Sequence, residues 1–122
     1  MDRPVWGWHL LLDCSGMNSA AINSPLTIEL FIENVIKGID MVPIGGPQIM
    51  WCDTHEEEKK GYTFIQIIET SNIIGHLCSH DDTGYIDVWS CKPYDQGKVI
   101  ELVKKFFEPV GIRTQFVERV AP

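Results

Sequence analysis

Two stretches with helical spacing, set among short apolar runs, predict an α+β protein. Leu26, Leu30, Phe31, Val35 and Ile36 form one apolar stripe, Val99, Leu102, Val103, Phe106 and Phe107 form the other, and strand-like runs lie before, between and after them. The order strand, helix, strand, strand, strand, helix, strand predicts both helices on one face of a mostly antiparallel sheet, a ferredoxin-like sandwich. A length of 122 residues predicts a single domain, 1–122, able to bury a core without metal or disulfide staples.

Taken in order, Trp6 to Asp13 alternates, with Trp6, Trp8, Leu10 and Leu12 on the core face and His9 and Asp13 on the other, so it is a first strand. Ser15-Gly16-Met17-Asn18-Ser19 breaks it. Ser24-Pro25 opens the first helix, a hydroxyl cap followed by proline at the first helical position, and Gly38 closes it. Pro43-Ile44-Gly45-Gly46-Pro47 is turn-rich, Gln48 to Asp53 is a second strand with Trp51, and His55 to Gly61 is a charged, solvated connection. Tyr62 to Glu69 is so rich in aromatic and β-branched residues that it reads as a buried central strand. Gly75 interrupts Ile73 to Ser79, which leaves that run open between strand and loop. His80 to Gly84 is a turn and Tyr85 to Cys91 a strand, with Ile86, Val88 and Ser90 opposite Tyr85, Asp87, Trp89 and Cys91. Asp95 caps the second helix, Pro109 and Gly111 end it, and Arg113 to Val120 is the last strand.

Composition narrows the function. A net charge of −7 argues against nucleic acid, whose phosphates select basic surfaces, and is compatible with a cationic ligand. No apolar run approaches the roughly 20 residues that span a bilayer, and Met1-Asp2-Arg3-Pro4 lacks the form of a secretory signal, so a cytoplasmic protein with no membrane partner is expected. Cys14, Cys52, Cys78 and Cys91 are scattered, which disfavours a zinc knuckle or redox pair and points to reduced, largely core thiols. Walker, dinucleotide and H-E-x-x-H motifs are absent, and no metal is expected.

The stretch carrying chemistry is Glu69-Thr70-Ser71-Asn72-Ile73-Ile74-Gly75-His76. It sets a carboxylate, two hydroxyls, an amide and an imidazole against the end of an apolar strand. Polar groups there must be satisfied or used, so the stretch is either a hydrogen-bonded turn or a site. Trp51, Tyr62 and Trp89 are the aromatic candidates to stack on a ligand ring, each of them also a plausible core residue.

Two resemblances follow from these residues. Ser71, His76 and Cys91, with Thr63 upstream and Ile86-Asp87-Val88-Trp89-Ser90-Cys91, keep the spacing of the prokaryotic S-adenosylmethionine decarboxylases, and Trp8-His9-Leu10-Leu11-Leu12-Asp13 resembles their opening more loosely. Thr70, Asn72 and Leu77-Cys78-Ser79-His80 depart from that family's glutamate, histidine and T-W-P-E. Glu69-Thr70-Ser71-Asn72-Ile73-Ile74-Gly75 resembles, at every position, the E-[ST]-[ST]-[ND]-[IL]-x-G signature of the phage S-adenosylmethionine lyases, formerly called hydrolases.

The lyase resemblance implies cleavage of S-adenosylmethionine to 5′-methylthioadenosine and L-homoserine lactone without a cofactor, by a phage enzyme that deprives host restriction-modification systems of their cofactor. It implies Glu69 as the catalytic anchor of the substrate ammonium, with Tyr62, Thr70, Ser71, Asn72 and His76 binding substrate. Ile68, Ile73 or Trp89 would line a dry pocket, and the protein would be a homo-oligomer, a trimer with sites between subunits. The decarboxylase resemblance implies instead a pyruvoyl group made from Ser71 by chain cleavage and a place in polyamine synthesis. A third reading is a module that binds S-adenosylmethionine without turnover.

Overall fold

The computed structural model describes residues 3–122; Met1 and Asp2, part of the opening read for a leader, lie outside the described residues. The chain runs β1 (Gly7–Ser15), α1 (Ser19–Ile22), α2 (Pro25–Gly38), β2 (Gln48–Cys52), a single 3-10 turn (Glu57–Lys59), β3 (Gly61–Ile68), β4 (Ser71–Cys78), β5 (Thr83–Ser90), α3 (Gln96–Phe107) and β6 (Gly111–Arg119). The strands form one six-stranded sheet in the order β2-β3-β4-β5-β1-β6, and every neighbouring pair is antiparallel. Strands β6-β1-β5-β4 make the ferredoxin-like core, and β3 and β2 extend it on one side. The expected α+β sandwich is what forms.

Local chemistry fixes the helix ends. The Ser24 hydroxyl accepts from Thr27 N at 3.1 Å and Pro25 fills the first turn, a cap worth about 1 kcal/mol. Asp95 Oδ1 accepts from Gly97 N at 2.9 Å at the head of α3, and Glu108 closes that helix in the left-handed region, φ 48°. The predicted break after β1 leads into a short helix, α1, capped by Asn18. Phe31 of α2 packs 4.9 Å from Phe107 and 6.1 Å from Phe64, joining both helices to the sheet. Leu10, Leu12, Phe64, Ile68, Ile73, Leu77, Ile86 and Val88 complete this one core, all on the helix side. Burial pushes the Cys14 thiol up to about 11, with Asp13 adding to the effect.

One open point is resolved and one expectation changes. The run after Asn72 is an unbroken strand, because Gly75 is not a breaker but a gap: a Cβ there would sit 2.5 Å from the Phe64 ring directly opposite. The strand read as buried and central is second from the edge and covered on one face only. Ile65 and Ile67 point outward with Met50, Ile74, Tyr85, Leu11 and Val117, forming an apolar sheet face that no helix covers.

Gly75→Ala is expected to lower stability by about 1–3 kcal/mol by forcing Phe64 off its seat. A chemical denaturation midpoint unchanged from wild type would show that the contact is not tight.

Candidate functional site

Glu69 and Thr70 form the two-residue turn between β3 and β4, flanked by the pair Ile68 and Ser71. Tight hairpins of this length favour positive φ inside the turn. Neither Glu69 nor Thr70 adopts it, and the departure falls on Ser71, whose φ of 152° costs a non-glycine residue on the order of 1–3 kcal/mol. Surrounding hydrogen bonds hold it there. Cys91 N donates to the Thr70 carbonyl at 2.9 Å, and Glu69 N donates to the Val42 carbonyl at 2.9 Å. Lys92 N donates to Ser90 Oγ at 2.9 Å, Ser90 Oγ donates to Thr70 Oγ1 at 2.8 Å, and Thr70 Oγ1 points to Met41 Sδ at 3.4 Å.

The hairpin therefore divides its polar groups. Thr70 is spent on structure, which gives the hydrogen-bonded turn its share of the sequence pattern. The Glu69 carboxylate, the Ser71 hydroxyl and the Asn72 amide make no side-chain hydrogen bond or ion pair among the described residues, and Glu69 is exposed at the tip. These three groups are close in sequence and available to a ligand.

His76 is elsewhere. It is five residues along β4 from Ser71, roughly 17 Å at about 3.4 Å per residue. Its Nδ1 is 2.7 Å from Thr63 Oγ1 and its Nε2 is 2.7 Å from the Lys59 carbonyl oxygen, so Nε2 donates to that oxygen and Nδ1 accepts from the threonine. Tyr62 lies at the same far end but faces the helices. It pairs with Leu77 and packs 5.2 Å edge-on against Trp51, so one chain brings neither Tyr62 nor Trp51 to the hairpin. Ile68 and Ile73 also face the helices, 1% and 0% exposed, and are closed off in the core rather than open to a ligand; the strand alternation that puts Asn72 on the open face puts Ile73 in the core.

Trp89 is the aromatic that reaches this end. It stands opposite Asn72 across β4–β5 and opposite His9 across β5–β1. Its ring lies across Gly7, where no Cβ would fit, with the Arg119 guanidinium 4.5 Å from the ring centre. Trp6, expected in the core, precedes β1 and stacks outside at 6.1 Å from Trp89. His9 Nε2 meets the Asp87 carboxylate at 2.9 Å beside it. Sequence alternation placed His9 off the core face and put Asp87 and Trp89 on one face of their strand, but their meeting depends on register between strands nearly 80 residues apart, which no local pattern encodes. Cys91 is half-buried and Cys78 buried, both free thiols. Among the described residues no cluster of three His, Cys, Asp or Glu side chains could hold a metal, and no helix is long and apolar enough to cross a membrane.

Ser90→Ala is expected to cost about 1–3 kcal/mol, since Ser90 is fully buried and its loss leaves the half-buried Lys92 N without its acceptor and removes the donor to Thr70. Denaturant unfolding measures the loss, and slower turn exchange of amide hydrogens in the variant would contradict it.

Three comparisons bear on this geometry. Residues 8–120 match the family described as S-adenosylmethionine decarboxylase. The S-adenosylmethionine decarboxylase proenzyme of Methanococcus maripaludis is 25% identical over 117 residues, covering 93% of this chain and 88% of that protein. The crystal structure of the adenosylmethionine decarboxylase from Aquifex aeolicus superposes with a TM-score of 0.82 at 20% identity, over 98% of this chain and 95% of that one, and so shares the fold. With nearly its whole length matched, the chain belongs to the S-adenosylmethionine decarboxylase family.

Proposed function

We propose that this protein is an S-adenosylmethionine lyase that yields 5′-methylthioadenosine and L-homoserine lactone. The observation that carries the reading is the exposed Glu69 carboxylate, without an intramolecular partner among the described residues, beside the half-buried Ser71 and Asn72, whose side chains also make no hydrogen bond there. Membership of a family named for S-adenosylmethionine supports the substrate.

The chemistry asks little of the protein. A substrate carboxylate oxygen attacks the carbon γ to its own carboxyl, the carbon–sulfur bond breaks, and its electron pair stays on sulfur, so methylthioadenosine leaves neutral and the lactone keeps its ammonium. No proton is transferred. Opposite charges cancel as the ring closes, which a water-poor site favours. Glu69 holds the ammonium through a charged hydrogen bond and so aims the carboxylate, while Ser71 and Asn72 bind the tail or ribose. Thr70 positions the turn.

His76 shares the open sheet face with Asn72 but sits at the opposite end, so the two reach one substrate only across subunits. The uncovered apolar face, with Met50, Ile65, Ile67, Tyr85 and Val117, supports a homo-oligomer, in our reading a trimer with sites between protomers. In a phage-infected cytoplasm such an enzyme would starve host restriction-modification of its cofactor.

A second reading, decarboxylation, is favoured by the strained Ser71 and by the Cys91 N–H held on the Thr70 carbonyl. These residues fit the place where a pyruvoyl group would form, and when present that group would supply an electron sink for loss of carbon dioxide. Ser71 would provide it and Cys91 N would steady the neighbouring carbonyl.

Chromatography of products from purified protein is expected to show methylthioadenosine and homoserine lactone; carbon dioxide, with a denatured mass showing a chain cut before Ser71, would decide for decarboxylation. Substrate bound without any product would leave only a binding module. Glu69→Gln is expected to lower kcat/KM about 10- to 100-fold, the effect of losing a charged hydrogen bond worth about 1.5–3 kcal/mol. Full activity in a folded variant would remove Glu69 from the mechanism.

A further inference from the structure

A concavity of about 590 Å³ opens where the residues flanking β1 and β6 pass the end of β5, and Arg3, Trp6, Trp89 and Arg119 line it. That volume lies within the range that holds a small organic ligand. Its chemistry is the reverse of the hairpin's. The chain carries a net charge of −7, yet the charged side chains lining this hollow are two arginines, with no Asp or Glu among the described lining residues.

The two indoles differ in freedom. Trp89 is a fixed wall, seated across Gly7 where a Cβ has no room and covered in part by Arg119. Trp6 is 61% exposed, its ring tilted 41° from Trp89 at 6.1 Å, so it forms a wedge open to solvent that a planar ring enters by rotation of one exposed side chain. Arg119 has no salt bridge among the described residues, and a guanidinium stacked on an indole still presents its N–H edge to an anion. Two guanidinium groups would repel the sulfonium of S-adenosylmethionine, so this hollow does not suit that cation.

We propose that the hollow between Trp6, Trp89 and the two arginines is a second binding site, for a planar aromatic anion of purine nucleotide size. The base stacks on Trp6 and Trp89, and the phosphate is held by Arg119 and Arg3. A free nucleotide is the occupant because the acidic chain offers no basic track along which a polymer could continue. The site stands whether or not the lyase reading does, since it uses neither Glu69 nor Ser71.

Isothermal titration of the intact protein with adenosine 5′-monophosphate, adenosine and inorganic phosphate tests this. The monophosphate is expected to bind at least tenfold more tightly than either fragment, and more weakly as salt rises. Trp6→Ala and Arg119→Gln alter exposed side chains, and a thermal melt checks their folding. Each is expected to weaken monophosphate binding about tenfold or more, whereas Glu69→Gln leaves it unchanged. No binding at millimolar monophosphate, equal affinity for adenosine, survival of binding in Arg119→Gln, or its loss in Glu69→Gln would each overturn the proposal.

Discussion

The register of the β3–β4 hairpin is the constraint on which the candidate site depends. Side chains alternate along a strand, so a slip of one residue would turn Asn72 into the core and Ile73 out to water. What prevents the slip is the eight-pair ladder from Gly61↔Cys78 to Ile68↔Ser71, with Phe64 filling the space left by Gly75 midway. The turn itself is a poor one by backbone preference, and the ladder, with Cys91 N on the Thr70 carbonyl, holds it in place.

That arrangement also sorts the polar residues of the turn. Thr70 is tied to Ser90 and Met41, which anchors the tip, whereas the side chains of Glu69, Ser71 and Asn72 make no hydrogen bond among the described residues. A rigid backbone presenting unpaired polar groups suits orientation of a flexible substrate better than a mobile loop would, because less ordering has to occur on binding. The same family scaffold can therefore be read for two reactions of one substrate, which differ in what becomes of Ser71.

Much of the fold was legible in the sequence. Ser24-Pro25, Asp95 and the apolar stripes of both helices specify their elements locally, and alternation in β1 and β5 separates core from open face. The rest was not legible where a residue's meaning depends on its partner across the sheet. Gly75 left its run open between strand and loop, and only Phe64 standing opposite it explains the strand. Tyr62, Ile68 and Ile73 looked like pocket residues until the helices covered their face. His76 followed Ser71 closely in sequence, and extended backbone carried it to the other end of the strand. Trp6 fitted the alternation of β1 and yet lies beyond its first residue, against Trp89.

The double pairing of β4 has a consequence for the integrity of the molecule. Ser71 to Cys78 is zipped to β3 on one side and to β5 on the other along its full length. A chain nicked between Thr70 and Ser71 would leave two fragments stitched together by backbone hydrogen bonds and a shared core. Such a scission would be silent to sedimentation, to circular dichroism and to native electrophoresis, and the halves would part only when the sheet itself was unravelled.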